Sequence, residues 1–187
     1  VNLHASLLPR HRGASPIQAA IREGDAETGI TLMHVVPKLD AGDMILKEAI
    51  PITTEDTGAC LHDKLAELGP SLLERGLPRL MEGRVERHPQ DENEVTYTGK
   101  LERTDGNLDW SQEAETLERL IRAYDPWPGT FSTIDLGDGP KKLKIFPPTR
   151  GTEPVHLPPG SVIGTGDGMQ VSCGDGSLII TGEVQLE

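Results

Sequence analysis

A polar, aperiodic stretch, ERHPQDENEVTYTGKLERTDG (residues 86–106), divides this chain into two different textures and so constrains it to two folding units. Before the stretch, apolar runs alternate with helical patterns. After it, short apolar runs are punctuated by Gly and Pro. With 187 residues, 35% of them hydrophobic and 26% charged, the chain has the apolar content of a folded protein on both sides of such a divide. The division predicts a first domain at 1–86, a linker at 87–104 and a second domain at 105–187.

Val1 to His4 reads as the end of a strand, and alternation puts Asn2 and His4 on one face. SLLPRHRGA supplies a turn. Ser15 and Pro16 start a helix, with a capping hydroxyl and a proline at its first position, and Gly24 is the expected C-terminal cap. GITLMHVV is a nearly all-apolar strand, as in a parallel sheet covered on both faces; PKLDAGD is a loop and MILKEAIPI a third strand. Thr53 or Thr54 is expected to cap the next helix, where Leu61, Leu65, Leu68 and Leu72 follow helical spacing and Pro70 and Pro78 should break the run. This is the logic of an α/β layer, and specifically of half a doubly wound domain. The abrupt opening on a strand, without Met, is expected to reflect an internal piece whose partner strands precede Val1.

Beyond the polar stretch, SQEAETLERLIRAY is a helix with Leu117, Leu120 and Ile121 on one side. GTFSTIDLG, KKLKIFPPT, GSVIGTG, GMQVSCG and GSLIITGEVQLE are short strands between frequent turn signals, as in a small β-barrel or sandwich.

No apolar run reaches the roughly 18 residues of a membrane helix. Cys60 and Cys173 lie far apart without metal-site spacing, which fits reduced thiols in a cytoplasmic protein. The net charge is −12, and from residue 88 onward eight Lys and Arg face seventeen Asp and Glu. Such acidity argues against non-specific nucleic-acid binding, though a local basic patch remains compatible with it.

Two groups of residues could carry chemistry. An Asn amide and a titratable imidazole on one strand face, Asn2 and His4, could together hold a developing oxyanion at the end of a strand. The loop LDAGDM could bring a carboxylate to the same edge, and a carboxylate beside an imidazole orients it. Asp40 and Asp43 are equal candidates on spacing alone.

HASLLPRHRG, with GDAETGITLMHVVPKLDAGDMILKEAIPI, closely resembles the formyltransferases that use 10-formyltetrahydrofolate. TYTGKLERTDGNLDW, LERLIRAYDPWPGTF and the closing Gly-rich strands are similar to the C-terminal domain of such enzymes, so the likeness spans nearly the whole chain. It implies an α/β fold: the C-terminal half of a Rossmann-like formyltransferase domain followed by a small OB-like β-barrel. It implies an active site of Asn2, His4 and Asp40, which decides between Asp40 and Asp43, with Ser6, Leu7, Leu8 and Pro9 contacting the folate and no metal. Arg10, Arg12 and Gly13 would shape the rim, while His11, His34, His62, His88 and His156 read as surface or packing residues. The implied reaction is attack of an amine on the formyl carbon. His4 and Asn2 would stabilise the tetrahedral oxyanion, and Asp40 would help move a proton toward the departing folate nitrogen.

The implied acceptor is methionine on initiator tRNA, for translation initiation, by a cytoplasmic monomer. Other members of the superfamily formylate a glycinamide ribonucleotide or an amino-sugar nucleotide. The DPWPGTF portion speaks against the single-domain purine enzyme but leaves the sugar enzyme open. For tRNA, a positive face is expected from Lys141, Lys142 and Lys144, with Arg119 and Arg122 on the helix. A further reading is a non-catalytic fragment, and the chain by itself is expected to be unstable or inactive because unpaired sheet edges would be exposed.

Overall fold

In the computed structural model, which describes residues 1–151, 154–164 and 168–187, the chain forms two compact units, Val1–Leu101 and Glu102–Glu187. The first contains β1 (Asn2–His4), β2 (Arg12–Gly13), α1 (Pro16–Glu23), β3 (Glu27–Met33), β4 (Met44–Pro51), α2 (Gly58–Met81) and β5 (Tyr97–Thr98). Its main sheet has the order β1-β3-β4, and β2 pairs with β5 in parallel.

The expected parallel arrangement is corrected here, because both pairings in the main sheet are antiparallel. Asn2 lies opposite Met33 and His4 opposite Thr31, so β3 begins beyond the C-terminal end of β1. The excursion through β2 and α1 therefore leaves and rejoins the sheet on the same side. An apolar run buried on both faces reads alike in a parallel strand and in a central antiparallel one. The apolar run also outlasts the strand, which ends at Met33 and leaves Val35 and Val36 exposed.

Helix α1 follows Ser15 with Pro16 at its first position, but the expected capping hydroxyl fails, since the Ser15 side chain makes no capping bond. At the other end Gly24 caps the helix, its left-handed φ of 74° letting its N–H reach the carbonyls of Ala20 and Ile21. Two other helix expectations fail. The N-cap of α2 is Thr57, whose hydroxyl accepts the Cys60 N–H, whereas the Thr53 N–H and hydroxyl both bond to Asp56. Pro70 and Pro78 lie inside an unbroken helix. Each proline costs one backbone hydrogen bond, but both are exposed, as are Ala66 and Glu74, whose carbonyls they free to water. The opposite stripe, Leu61, Leu65, Gly69, Leu72 and Gly76, is buried and holds the helix on the sheet. At Gly76 a Cβ would lie 2.3 Å from Leu32 Cδ2, so the absence of a side chain sets how closely α2 approaches β3.

The second unit contains a 3-10 turn (Arg103–Gly106), α3 (Ala114–Ala123), β6 (Thr130–Asp135), β7 (Pro140–Ile145), β8 (Thr149–Arg150), β9 (Val162–Gly164), β10 (Met169–Ser172), β11 (Leu178–Thr181) and β12 (Val184–Leu186). Its strands pair antiparallel in two sheets, β12-β7-β6 and β8-β11-β10-β9. Thr165 and Gly166, the end of the GSVIGTG run, lie outside the described residues. Leu117 and Ile121 of α3 pack with Leu108, Ala114, Ile145, Cys173 and Ile179 into one core, with Leu120 against it. Among the described residues, no helix is long and apolar enough to cross a membrane.

Candidate active site

Strand β1 delivers His4 to a buried position, and Asn2 occupies the exposed position two residues earlier on the same face. The turn that follows is pinned from three sides. The Ser6 hydroxyl donates to the Arg10 carbonyl at 2.6 Å. The Thr31 hydroxyl donates to the Ser6 carbonyl and accepts the Leu8 N–H, and the Lys47 ammonium donates to the Leu8 carbonyl. Ser6 and Leu8 are fully buried, Pro9 is buried and Leu7 is half-buried, so within this chain the Ser6 and Leu8 side chains serve the turn itself.

The turn ends at His11, which has a left-handed φ of 59°. Its N–H donates to the Thr96 hydroxyl, and its carbonyl accepts the His4 Nε2–H at 2.9 Å. With Nε2 engaged, His4 turns Nδ1 toward Asp40, whose Oδ2 is 3.7 Å away. The same oxygen accepts the Gly13 N–H at 2.9 Å. Gly13 must be glycine there: its φ is 115°, and a Cβ would lie 2.1 Å from the Thr98 carbonyl oxygen.

Asp40 too has a left-handed φ, 46°. Its loop folds back on the residue that follows β3: the His34 N–H bonds to the Asp43 carbonyl, and a Cβ on Gly42 would meet the His34 carbonyl oxygen at 1.8 Å. Asp40, rather than Asp43, is therefore the carboxylate brought to His4. Among the described residues, no group of three or more His, Cys, Asp or Glu side chains is placed to hold a metal ion.

Several expectations change at the periphery. Arg12 is not a rim residue but a fully buried one, its guanidinium donating to Gln90 Oε1 at 2.9 Å and to Glu92 at 3.0 Å. Bonds from Lys38 and then Arg12 hold the Glu92 carboxyl below its usual range. Arg10 is exposed and pairs with Asp25 at 2.7 Å. His11 is more than a packing residue, since its carbonyl anchors His4 and its ring meets Asp25 at 2.6 Å.

The polar stretch read as a linker supplies Gln90, Thr96 and β5 to the first unit. None of these was visible in the sequence, because an aperiodic polar run carries no signal of what its side chains bond to.

The expected basic face in the second unit is smaller than its charge count. Arg122 is buried against Glu118, Arg119 lies 3.5 Å from Glu115, and Lys141 pairs with Asp138. Lys142 and Lys144 do share a face of β7, where Lys142 sits 4.0 Å from the Phe131 ring centre and both lysines approach Glu187. With Arg103 and Trp127 they line a cavity of about 280 Å³.

The formyl transferase family matches residues 1–77, and the formyl transferase C-terminal domain matches residues 100–187. A methionyl-tRNA formyltransferase of Akkermansia muciniphila is 48% identical over 189 residues, covering 100% of this chain and 60% of the relative. One of Marinobacter nauticus is 48% identical over 182 residues, covering 97% of this chain and 57% of the relative. The chain thus spans somewhat over half the length of these curated relatives.

Among solved structures, an N-formyltransferase from Helicobacter canadensis in complex with folinic acid and dTDP-3-aminofucose aligns with a TM-score of 0.76 at 20% identity, over 96% of this chain and 64% of that one. The methionyl-tRNA formyltransferase from Clostridium thermocellum aligns at 0.64 and 19% identity, over 99% of this chain and 67% of that one. At these identities the structural matches establish the fold.

Proposed function

The chain belongs to the formyl transferase family, and from that premise we propose that the protein moves the formyl group of 10-formyltetrahydrofolate onto the α-amine of methionine esterified to initiator tRNA. The observation that carries the reading is the convergence of His4 and Asp40 at the end of β1, beside Asn2, with the His4 ring fixed from its far side. The amine attacks the formyl carbon, forming a C–N bond and a tetrahedral oxyanion. The Asn2 amide and protonated His4 stabilise that oxygen; losing one such donor typically costs ~10²–10³ in rate. Collapse breaks the bond to the folate nitrogen, and the proton lost by the amine passes by way of Asp40 to that nitrogen.

The Ser6–Pro9 turn lies alongside as the folate-contacting segment. The short strands of the second unit form the OB-like barrel that meets the RNA, with Lys142 and Lys144 on its contact face. A Rossmann-like catalytic domain holds the sheet of the first unit.

A second reading is formyl transfer to an amino-sugar nucleotide. It is favoured by the likeness in fold to the N-formyltransferase crystallised with dTDP-3-aminofucose. The relatives at 44–48% identity, which bear the methionyl-tRNA name, support the first. The test offers labelled 10-formyltetrahydrofolate with either charged initiator tRNA or an amino-sugar nucleotide. Label on Met-tRNA is the expected result. Label on the sugar with none on Met-tRNA would contradict it.

A further inference from the structure

We propose that Gln90 is a positioning residue for the Asp40 carboxylate. The proposal rests on the reading of Asn2, His4 and Asp40 as the catalytic group. Gln90 lies in the polar stretch ahead of β5, yet its side chain is spent wholly on the site. Nε2 donates to the Asp40 carbonyl at 2.7 Å and to the Gly42 carbonyl at 2.8 Å, while Oε1 accepts the Arg12 Nε–H at 2.9 Å. A primary amide offers two N–H donors at one end and an acceptor at the other, and all are matched here. Because a guanidinium has no acceptor, Arg12 dictates which end of the amide faces it and so turns the NH₂ group onto the loop.

What Gln90 holds is backbone that would otherwise relax. Asp40 has a left-handed φ of 46°, a conformation that costs any residue but glycine some energy, least for Asp and Asn, and that persists where surrounding bonds over-determine it. Two carbonyls of that loop, those of residues 40 and 42, are tied to one side chain. Releasing them lets φ of Asp40 return to negative values. That rotation swings the carboxylate away from both the Gly13 N–H and His4 Nδ1. The polar stretch thereby becomes part of the site's geometry rather than a tether between two units.

The test uses two substitutions in the protein. Gln90→Glu keeps the length and the acceptor for Arg12 but sets an oxygen against two carbonyls. Gln90→Met keeps the volume and removes all three bonds. If Gln90 only props the fold through Arg12, Gln90→Glu is silent and Gln90→Met is harmful. If it positions Asp40, both lower kcat, by roughly 10–100-fold, while KM for the folate and the acceptor changes less than about threefold.

A second readout is amide hydrogen exchange. Exchange at the Gly13 N–H should quicken by roughly tenfold or more in Gln90→Glu. The Arg12 and Ala14 N–H groups, bonded to the Thr96 and Thr98 carbonyls, should keep their protection. Wild-type kcat in Gln90→Glu, or unchanged exchange at Gly13, overturns the proposal. A wild-type rate in His4→Ala overturns the catalytic reading instead. The two failures are separable, because Gly13 exchange reports where Asp40 sits whatever the loop does in catalysis.

Discussion

The His4 ring is constrained at both nitrogens, by the His11 carbonyl at Nε2 and by Asp40 beside Nδ1. Since the Nε2–H is committed to a backbone acceptor, Nδ1 is the nitrogen left to meet a ligand. Away from this site, Asp56 shows the same economy. It is buried, and although burial alone would raise its pKa, bonds from Lys64, the Thr53 backbone, Cys60 and the Thr53 hydroxyl bring it down to about 2. A depressed carboxylate pKa stabilises the fold above the unfolded value near 3.8, and that contribution is lost as pH falls toward 2. Asp56→Ala is therefore expected to cost on the order of 2 kcal/mol near neutral pH. The gap to wild type should close as thermal unfolding is repeated from pH 4 down to pH 2. A gap independent of pH would contradict this. Asp40 and Asp43 were equivalent in spacing and became distinct through resemblance; in the fold, it is the backbone turn at Asp40 that brings one of them to His4. Gln90 was illegible because its contacts, to residues 12, 40 and 42, cross long sequence separations, and His11 because it anchors His4 through its backbone carbonyl, which leaves no side-chain signature.

At the scale of elements, the patterns dominated by burial were readable and those decided by competition were not. Leu61, Leu65 and Leu72 lie on the buried stripe of α2 as their spacing predicts, and Leu117 and Ile121 do so in α3. The prolines of α2 were misjudged because the cost of one lost hydrogen bond, partly repaid by water, is outweighed by a buried stripe that runs the helix's length. The hand of β3 relative to β1 was hidden for a different reason: side-chain pattern records burial, not strand direction. Gly76 tests the packing of α2 on the sheet. Leu32, which an added side chain would strike, is itself fully buried and has little room to swing. Gly76→Val should lower stability by about 1–3 kcal/mol, read from the denaturant midpoint. A midpoint equal to wild type would show that α2 lies farther from β3 than described.

At the scale of the molecule, the two textures of the sequence correspond to two compact units, with the polar stretch up to Leu101 belonging to the first. The short strands of the second unit were legible because Gly and Pro mark their ends; their grouping into sheets was not, since it depends on which edges pair. The net charge of −12 is compatible with an RNA acceptor only if the contact face is local, and the β7 lysines, drawn toward Glu187, give it little surplus. In the proposed reaction, formyl transfer runs through His4 and Asp40. The most direct test of this is the single-turnover rate of transfer from 10-formyltetrahydrofolate to charged initiator Met-tRNA, measured for the protein and for His4→Ala and Asp40→Asn. A fall of roughly 10²–10⁴ is expected for each variant, with the folate still bound. Turnover at the wild-type rate in either would contradict it.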